Sequence, residues 1–245
     1  MKKIKKPQIL YKNKDVLVIN KPAGMIVHPQ NENDERGSVS EIFVDDKKVA
    51  KNACIDNLRP GIVHRLDMGT SGALILARNK KSYVYFVDQF KKRKITKMYL
   101  ALVFGKPQYP EGIIDSPIGR GVRDRQRMAV SYEDSGKEAI THYKTLSVYK
   151  FDKYVFSLLE VDIKTGRTHQ IRVHMAAIGN PVLGDNEYGN KKINAYLSDK
   201  MGLNRQFLHA KMIKFKLLDG KDVSVTAKLP SDLAKTLRVL GPLGS

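Results

Sequence analysis

Gly61-Ile-Val-His-Arg-Leu-Asp-Met-Gly-Thr-Ser-Gly72 runs directly into the apolar stretch Ala73-Leu-Ile-Leu-Ala77. An apolar run this short, bounded by glycine, reads as a buried strand rather than a helix. The glycines ahead of it let the backbone turn sharply and allow other groups to come close. The chain therefore carries a polar, chemically rich loop at the mouth of a buried strand. Upstream, Asp15-Val-Leu-Val-Ile-Asn20 is a second apolar run, ended by Lys21-Pro22-Ala23-Gly24, and reads as a strand entering a loop. Downstream, Tyr83, Phe86, Val87 and Phe90 fall at i, i+3, i+4 and i+7, which predicts a helix within Lys80 to Lys94 with one core face and a basic end. Met98 to Phe104 reads as the strand that returns from it.

Further out the same pattern recurs. Gln30 to Arg59 is polar and irregular, with a short helix expected near Ser38 to Val44. Gly119 to Met128 holds Arg120, Arg123, Arg125 and Arg127 against one Asp124 and reads as a basic loop. Ala139 to Tyr149 and Tyr154 to Ile163 read as two strands. Thr168 is expected to cap a helix in which Ile171, Met175 and Ile178 share a face. Phe207 to Leu218 and Val223 to Ala227 are strand-like, and Ser231 is expected to cap a last helix carrying Leu233, Leu237 and Leu240. Strands outnumber helices and are joined by loops rather than by regular crossover helices. This favours an α+β fold around a mixed, largely antiparallel sheet over a doubly wound one. One domain with a central cleft is expected over residues 1–240, and residues 241–245, Gly-Pro-Leu-Gly-Ser, resemble an expression-vector scar.

The 245 residues include 44 Lys plus Arg against 25 Asp plus Glu, a formal net charge of +19. That length buries a real core, and 42% hydrophobic content excludes disordered and fibrous classes. The charge points to an anionic partner, nucleic acid ahead of acidic membrane, because the basic residues do not lie opposite a broad apolar helix face. The single Cys54 excludes an internal disulfide framework and a Cys-built zinc site. No apolar run approaches the roughly 18 residues of a membrane span, and a cytoplasmic protein is expected.

Common catalytic motifs fail on inspection. Gly69-Thr-Ser71-Gly-Ala73 falls one residue short of a serine nucleophile elbow. Gly119-Arg-Gly121-Val-Arg-Asp124 lacks the last glycine of a dinucleotide loop, and no phosphate-binding P-loop exists. His169 and His174 are spaced wrongly for a helical metal pair. Asp67 survives, with two readings: a turn carboxylate bonded to neighbouring amides, or a nucleophile or general base in a cleft. Gly166-Arg-Thr-His-Gln-Ile-Arg-Val-His174 places polar residues in the first turns of a helix, where free N–H groups favour an anion. An arginine there can bind a phosphate, hold a carboxylate, or lie on a solvated face.

His64-Arg-Leu-Asp67 followed by Thr70-Ser71-Gly72, Gly166 to His174, Gly184-Asp185 and Tyr188-Gly189 together resemble the RluA family of RNA pseudouridine synthases. Asp15 to Gly24 and Lys97-Met-Tyr99-Leu-Ala101 fit its other landmarks, so the resemblance runs from about Ile9 to about Leu229. Arg127-Met-Ala-Val130 and Gly136 to Tyr143 look most like the branch acting on large-subunit ribosomal RNA. The resemblance implies that Asp67 is the catalytic aspartate, Tyr99 the active-site tyrosine and Arg172 the arginine pairing with the aspartate. Arg65 resembles the residue that enters the RNA stack as the target base leaves. His64, Leu66, Arg167, His169 and Gln170 are further expected substrate-binding positions, and Arg120 and Arg123 are expected on RNA phosphates. Some family members carry an N-terminal S4-type domain, and none is expected here. The resemblance implies an isomerase that needs no cofactor and no metal and binds RNA, with a monomer expected. Transfer RNA as substrate, or an RNA-binding or ribosome-assembly protein without chemistry, are the alternatives.

Overall fold

Eleven strands and five helices form among the described residues. The computed structural model describes residues 6–29, 31, 34, 36–44, 59–122, 124–131 and 136–241. Most of Gln30 to Arg59, with Cys54, lies outside them, as do Arg123 and the last four residues. In chain order the strands are Gln8–Lys12 (β1), Val16–Lys21 (β2), Ser71–Ala77 (β3), Thr96–Phe104 (β4), Glu111–Asp115 (β5), Ile118–Arg120 (β6), Met128–Val130 (β7), Ile140–Phe151 (β8), Tyr154–Ile163 (β9), Leu208–Lys216 (β10) and Asp222–Thr226 (β11). The helices are Val39–Val44 (α1), Lys80–Lys91 (α2), Gln170–Ala177 (α3), Lys191–Met201 (α4) and Ser231–Leu240 (α5). The fold is α+β, and no described helix is long and apolar enough to cross a membrane.

The chain divides into two compact units, residues 1–96 with 210–228, and residues 97–209 with 229–245. In the first unit β1 pairs β2 and β2 pairs β3, both antiparallel, and β11 lies antiparallel on β10. β3 is buried along its whole length, as its unbroken apolar run requires of a strand covered on both faces. Val16, Val18, Ile75, Phe86, Ile213 and Phe215 form its core. Helix α2 closes one side. Asn79 starts it with a capping box, accepting the Ser82 N–H at 2.9 Å while the Ser82 hydroxyl oxygen accepts the Asn79 N–H at 3.2 Å. The helix faces inward through Ser82, Phe86 and Gln89, whereas Val87 is exposed, so the core stripe is rotated from the one the apolar spacing predicts. Tyr85 Oη donates to Leu217 O at 3.2 Å.

In the second unit β4 pairs β9, β9 pairs β8 and β8 pairs β5, all antiparallel. Leu102, Phe156, Leu158, Leu197, Phe207 and Leu233 fill the core under one face of this sheet, with α4 and α5 supplying Leu197 and Leu233. The basic loop expected from Gly119 to Met128 is found among the described residues between Arg120 and Met128, and its two ends are short strands that pair as an antiparallel ribbon, β6 against β7. Its strands are only three residues each, too short for an alternation signal. Two expected helix caps also differ. The cap of α3 is His169 in a left-handed conformation with no side-chain cap bond, not Thr168, and Pro230, not Ser231, precedes α5. Helix α4 and strands β1 and β5 are not among the elements expected from the sequence, although Ile193, Tyr196, Leu197 and Met201 of α4 fall at i, i+3, i+4 and i+8 and face the core.

Candidate active site

The candidate residues fall into two groups, one in each unit. In the first unit, His64 to Asp67 form an extended loop that closes at Met68 and Gly69 as a turn, with Thr70 N–H donating to Asp67 O at 3.0 Å. Alternate side chains take different roles. Leu66 is buried at 6% exposure and anchors the loop, whereas Arg65 is exposed and Asp67 is half-buried. His64 is turned back onto the fold. Its Nε2 accepts the Ile75 N–H at 2.8 Å and its ring stacks on Phe90 at 4.6 Å, so that nitrogen carries no proton. The ring thus staples the loop to β3.

A lysine that sequence reading left without a role supports the same loop. Lys21 is fully buried at the end of β2 and its ammonium donates to Pro22 O at 2.9 Å, Met25 O at 2.7 Å and Met68 O at 3.3 Å. It joins the Pro22–Met25 turn to the turn just past Asp67. Gly24 N–H adds a bond to Met68 O at 2.8 Å. A buried ammonium is tolerated only where oxygens solvate it, so this carbonyl cluster and the loop shape require each other. Gly72 then begins the close approach of β3 to Ala210. Its φ is +122°, and a Cβ there would lie 2.3 Å from Ala210 O.

In the second unit the site is built around α3. Arg172 is 6% exposed and its guanidinium grips the fully buried Asp185 in a bidentate pair, Nε to Oδ2 at 2.6 Å and Nη2 to Oδ1 at 2.9 Å. Nη2 also donates to Glu187 Oε2 at 3.0 Å, and the Tyr188 ring lies 5.0 Å from the guanidinium carbon. Burial alone would raise the Asp185 carboxyl. The Arg172 bonds and charge, with the Glu187 and Tyr188 amides, outweigh it and hold Asp185 below the ordinary carboxylate range. Asp185 and Glu187 fix the rotamer of Arg172; Gly184-Asp185 and Tyr188-Gly189 are visible in the sequence, but nothing there says that they face this arginine.

The neighbouring residues divide between holding and exposing. Gln170 is 3% exposed, and its Oε1 accepts from Thr165 Oγ1 at 2.8 Å and Arg167 N–H at 3.0 Å. Its Nε2 donates to Ile140 O and Thr141 Oγ1, both at 3.0 Å, so all four hydrogen-bonding positions are used inside the protein. Thr141 in turn donates to His174 Nδ1 at 2.9 Å, and His174 Nε2 donates to Ser116 O at 2.9 Å. His174 is fully buried, and burial lowers its pKa from the usual histidine range. His169 sits left-handed at φ 56° with Nδ1 3.0 Å from Tyr188 Oη. Arg167 is half-buried and donates from Nε to Glu138 O at 2.8 Å. Tyr99 is 6% exposed on β4 opposite Val161, on the strand face away from Leu100 and Leu102. Arg120 is exposed on the ribbon, where Nη1 reaches Arg125 O at 3.4 Å and Gln126 O at 3.3 Å.

The first unit offers a half-buried carboxylate on a braced loop with an exposed arginine two residues before it, and the second offers a buried, hydrogen-bonded guanidinium beside an aromatic ring. Residues 15–177 match the family described as RNA pseudouridylate synthase. A protein of Chloroflexus aurantiacus named as an uncharacterized RNA pseudouridine synthase is 44% identical over 223 residues, 90% of this chain and 65% of that protein. The chain thus spans slightly under two thirds of that relative. Ribosomal large subunit pseudouridine synthase D of Zymomonas mobilis is 37% identical over 95% of this chain and 72% of its own length. Among solved structures, human RNA pseudouridylate synthase domain containing 4 superposes with a TM-score of 0.73 at 25% identity, covering 95% of this chain and 92% of that one.

Proposed function

The chain belongs to the RluA-type RNA pseudouridine synthase family, and from that membership we propose that it isomerises uridine to pseudouridine in large-subunit ribosomal RNA. The observation that carries the reading is the family match over residues 15–177, which takes in both the Asp67 loop and the Arg172 helix. Relatives named for the ribosomal large subunit support the substrate class.

Asp67 is the catalytic carboxylate of this reading, Tyr99 the tyrosine and Arg172 the arginine of the reaction centre. The N1–C1′ bond of the target breaks, the base turns and a C5–C1′ bond forms; C5 gives up its proton and N1 takes one up, so substrate and product are isomers. A bond inside a nucleotide is out of reach in a stacked helix, and the base must be flipped at a cost of a few kcal/mol. In this reading Arg65 fills the gap the base leaves, which its exposure beside the buried Leu66 supports. The net charge of +19 offsets the unstacking cost through phosphate contacts. Tyr99 supplies an aromatic face and a hydroxyl for proton removal from C5.

Release of tritium from ribosomal RNA labelled at uridine C5 tests the reading. Release is expected with the native protein and is expected to be lost in Asp67→Asn. Release that persists in that variant would remove Asp67 from the chemistry, and no release from ribosomal or transfer RNA would leave a binding protein on this fold.

A further inference from the structure

Tyr188 is the side chain on which the second unit's site converges. Its ring face lies against the Arg172 guanidinium at 5.0 Å and its edge meets the His169 ring at 5.7 Å and 74°. Its hydroxyl accepts the N–H of Met128, the first residue of β7, at 3.2 Å and lies 3.0 Å from His169 Nδ1. Its own N–H donates to Asp185 Oδ1 at 3.1 Å, so both ends of the residue are fixed. Tyr188 also packs, with Met128 and Val130, against the buried cluster of Ile118, Ala139 and Val173, which draws on both the ribbon and α3.

The described residues between the two strands of the ribbon that this hydroxyl holds are tied to one another by hydrogen bonds. Gly121 N–H donates to Arg127 O at 2.8 Å, Arg127 N–H to Asp124 O at 3.1 Å and Gln126 N–H to Asp124 Oδ1 at 3.0 Å. These bonds converge on Asp124 and Arg127, and Arg127 directly precedes Met128 in the chain. Tyrosine alone among the common side chains offers a wide ring for the guanidinium and a distant hydroxyl for the ribbon.

Resting on the function proposed above, we propose that Tyr188 is a positioning residue that fixes the β6–β7 ribbon and the Arg172 guanidinium relative to each other. RNA gripped by the ribbon then meets the arginine at a set spacing. The ring and the hydroxyl do separate work, and two variants separate them. In Tyr188→Phe the ribbon loses its acceptor: KM for RNA rises about fivefold and exchange of the Met128 amide quickens by a similar factor. kcat stays within about twofold, because the ring remains on Arg172. In Tyr188→Leu the guanidinium loses its support and kcat falls on the order of 10²-fold, with the circular dichroism of the native protein. A Phe variant with native KM and native Met128 exchange overturns the proposal, as does a Leu variant with native kcat. Absence of isomerisation in the native protein would overturn the pseudouridine reading alone, because Met128 exchange and RNA affinity by filter binding still decide the role of Tyr188.

Discussion

Arg172 and His174 lie two residues apart on α3 and are buried for opposite reasons. Arg172 is charged and is tolerated because Asp185 and Glu187 neutralise it. Removing the guanidinium strands the Asp185 carboxylate, which has no exposure to water. Arg172→Met is expected to cost about 3–5 kcal/mol, read from urea unfolding. His174 is buried neutral, one ring nitrogen accepting from Thr141 and the other donating to Ser116. Its folded pKa lies below the usual 6.5, so the unfolded chain binds more protons as the pH drops. Its contribution to stability is complete above about pH 6.5 and is lost as the pH falls below that value toward the depressed folded pKa. Urea midpoints at pH 7.5 and pH 5.5, about one unit either side of the unfolded value, should differ more in the native protein than in His174→Gln. Equal differences would show that another group sets the acid sensitivity.

At the scale of elements, the Asp67 loop owes its shape to its neighbours more than to its own sequence. Lys21 from β2, Ile75 from β3 and Phe90 from α2 each hold one part of it. Gly72 marks the place where β3 meets the Ala210 backbone, at a φ of +122° that side chains rarely adopt. Gly72→Ala combines backbone strain with a clash that no rotamer relieves, and is expected to lower stability by about 3 kcal/mol or more in thermal or urea unfolding. A loss under about 0.5 kcal/mol would mean that β3 and Ala210 separate easily at that point. The strands β2, β3, β4, β8, β9, β10 and β11 are legible in the sequence because each is an apolar or alternating run of five residues or more. The ribbon is not, since its six residues gain order from Tyr188 and Pro117 rather than from a pattern of their own, with Ser131 N–H donating to Pro117 O at 2.8 Å.

Across the whole molecule, charge and chain path matter most. A net charge of +19 should make RNA affinity fall steeply with salt. Arg120→Ala and Arg123→Ala are each expected to reduce the slope of log affinity against log salt by about 0.9, by filter binding over a range of salt concentrations. An unchanged slope would take that residue off the phosphates. The chain builds most of the first unit, leaves to build most of the second, and returns at Ala210 to complete the first with Ile213, Phe215 and Val225. Sequence by itself determined the α+β class and the anionic partner, which rest on composition and local periodicity, and the family resemblance, whose contiguous motifs imply Asp67, Tyr99 and Arg172 as candidates. Only the tertiary structure decided that Lys21 braces the Asp67 turn, that His64 and Gln170 direct their hydrogen-bonding groups inward, and that Asp185, Glu187 and Tyr188 hold Arg172. Most of those pairings join residues 11 to 47 positions apart, and a buried charge or amide finds its partner through packing that no local pattern records.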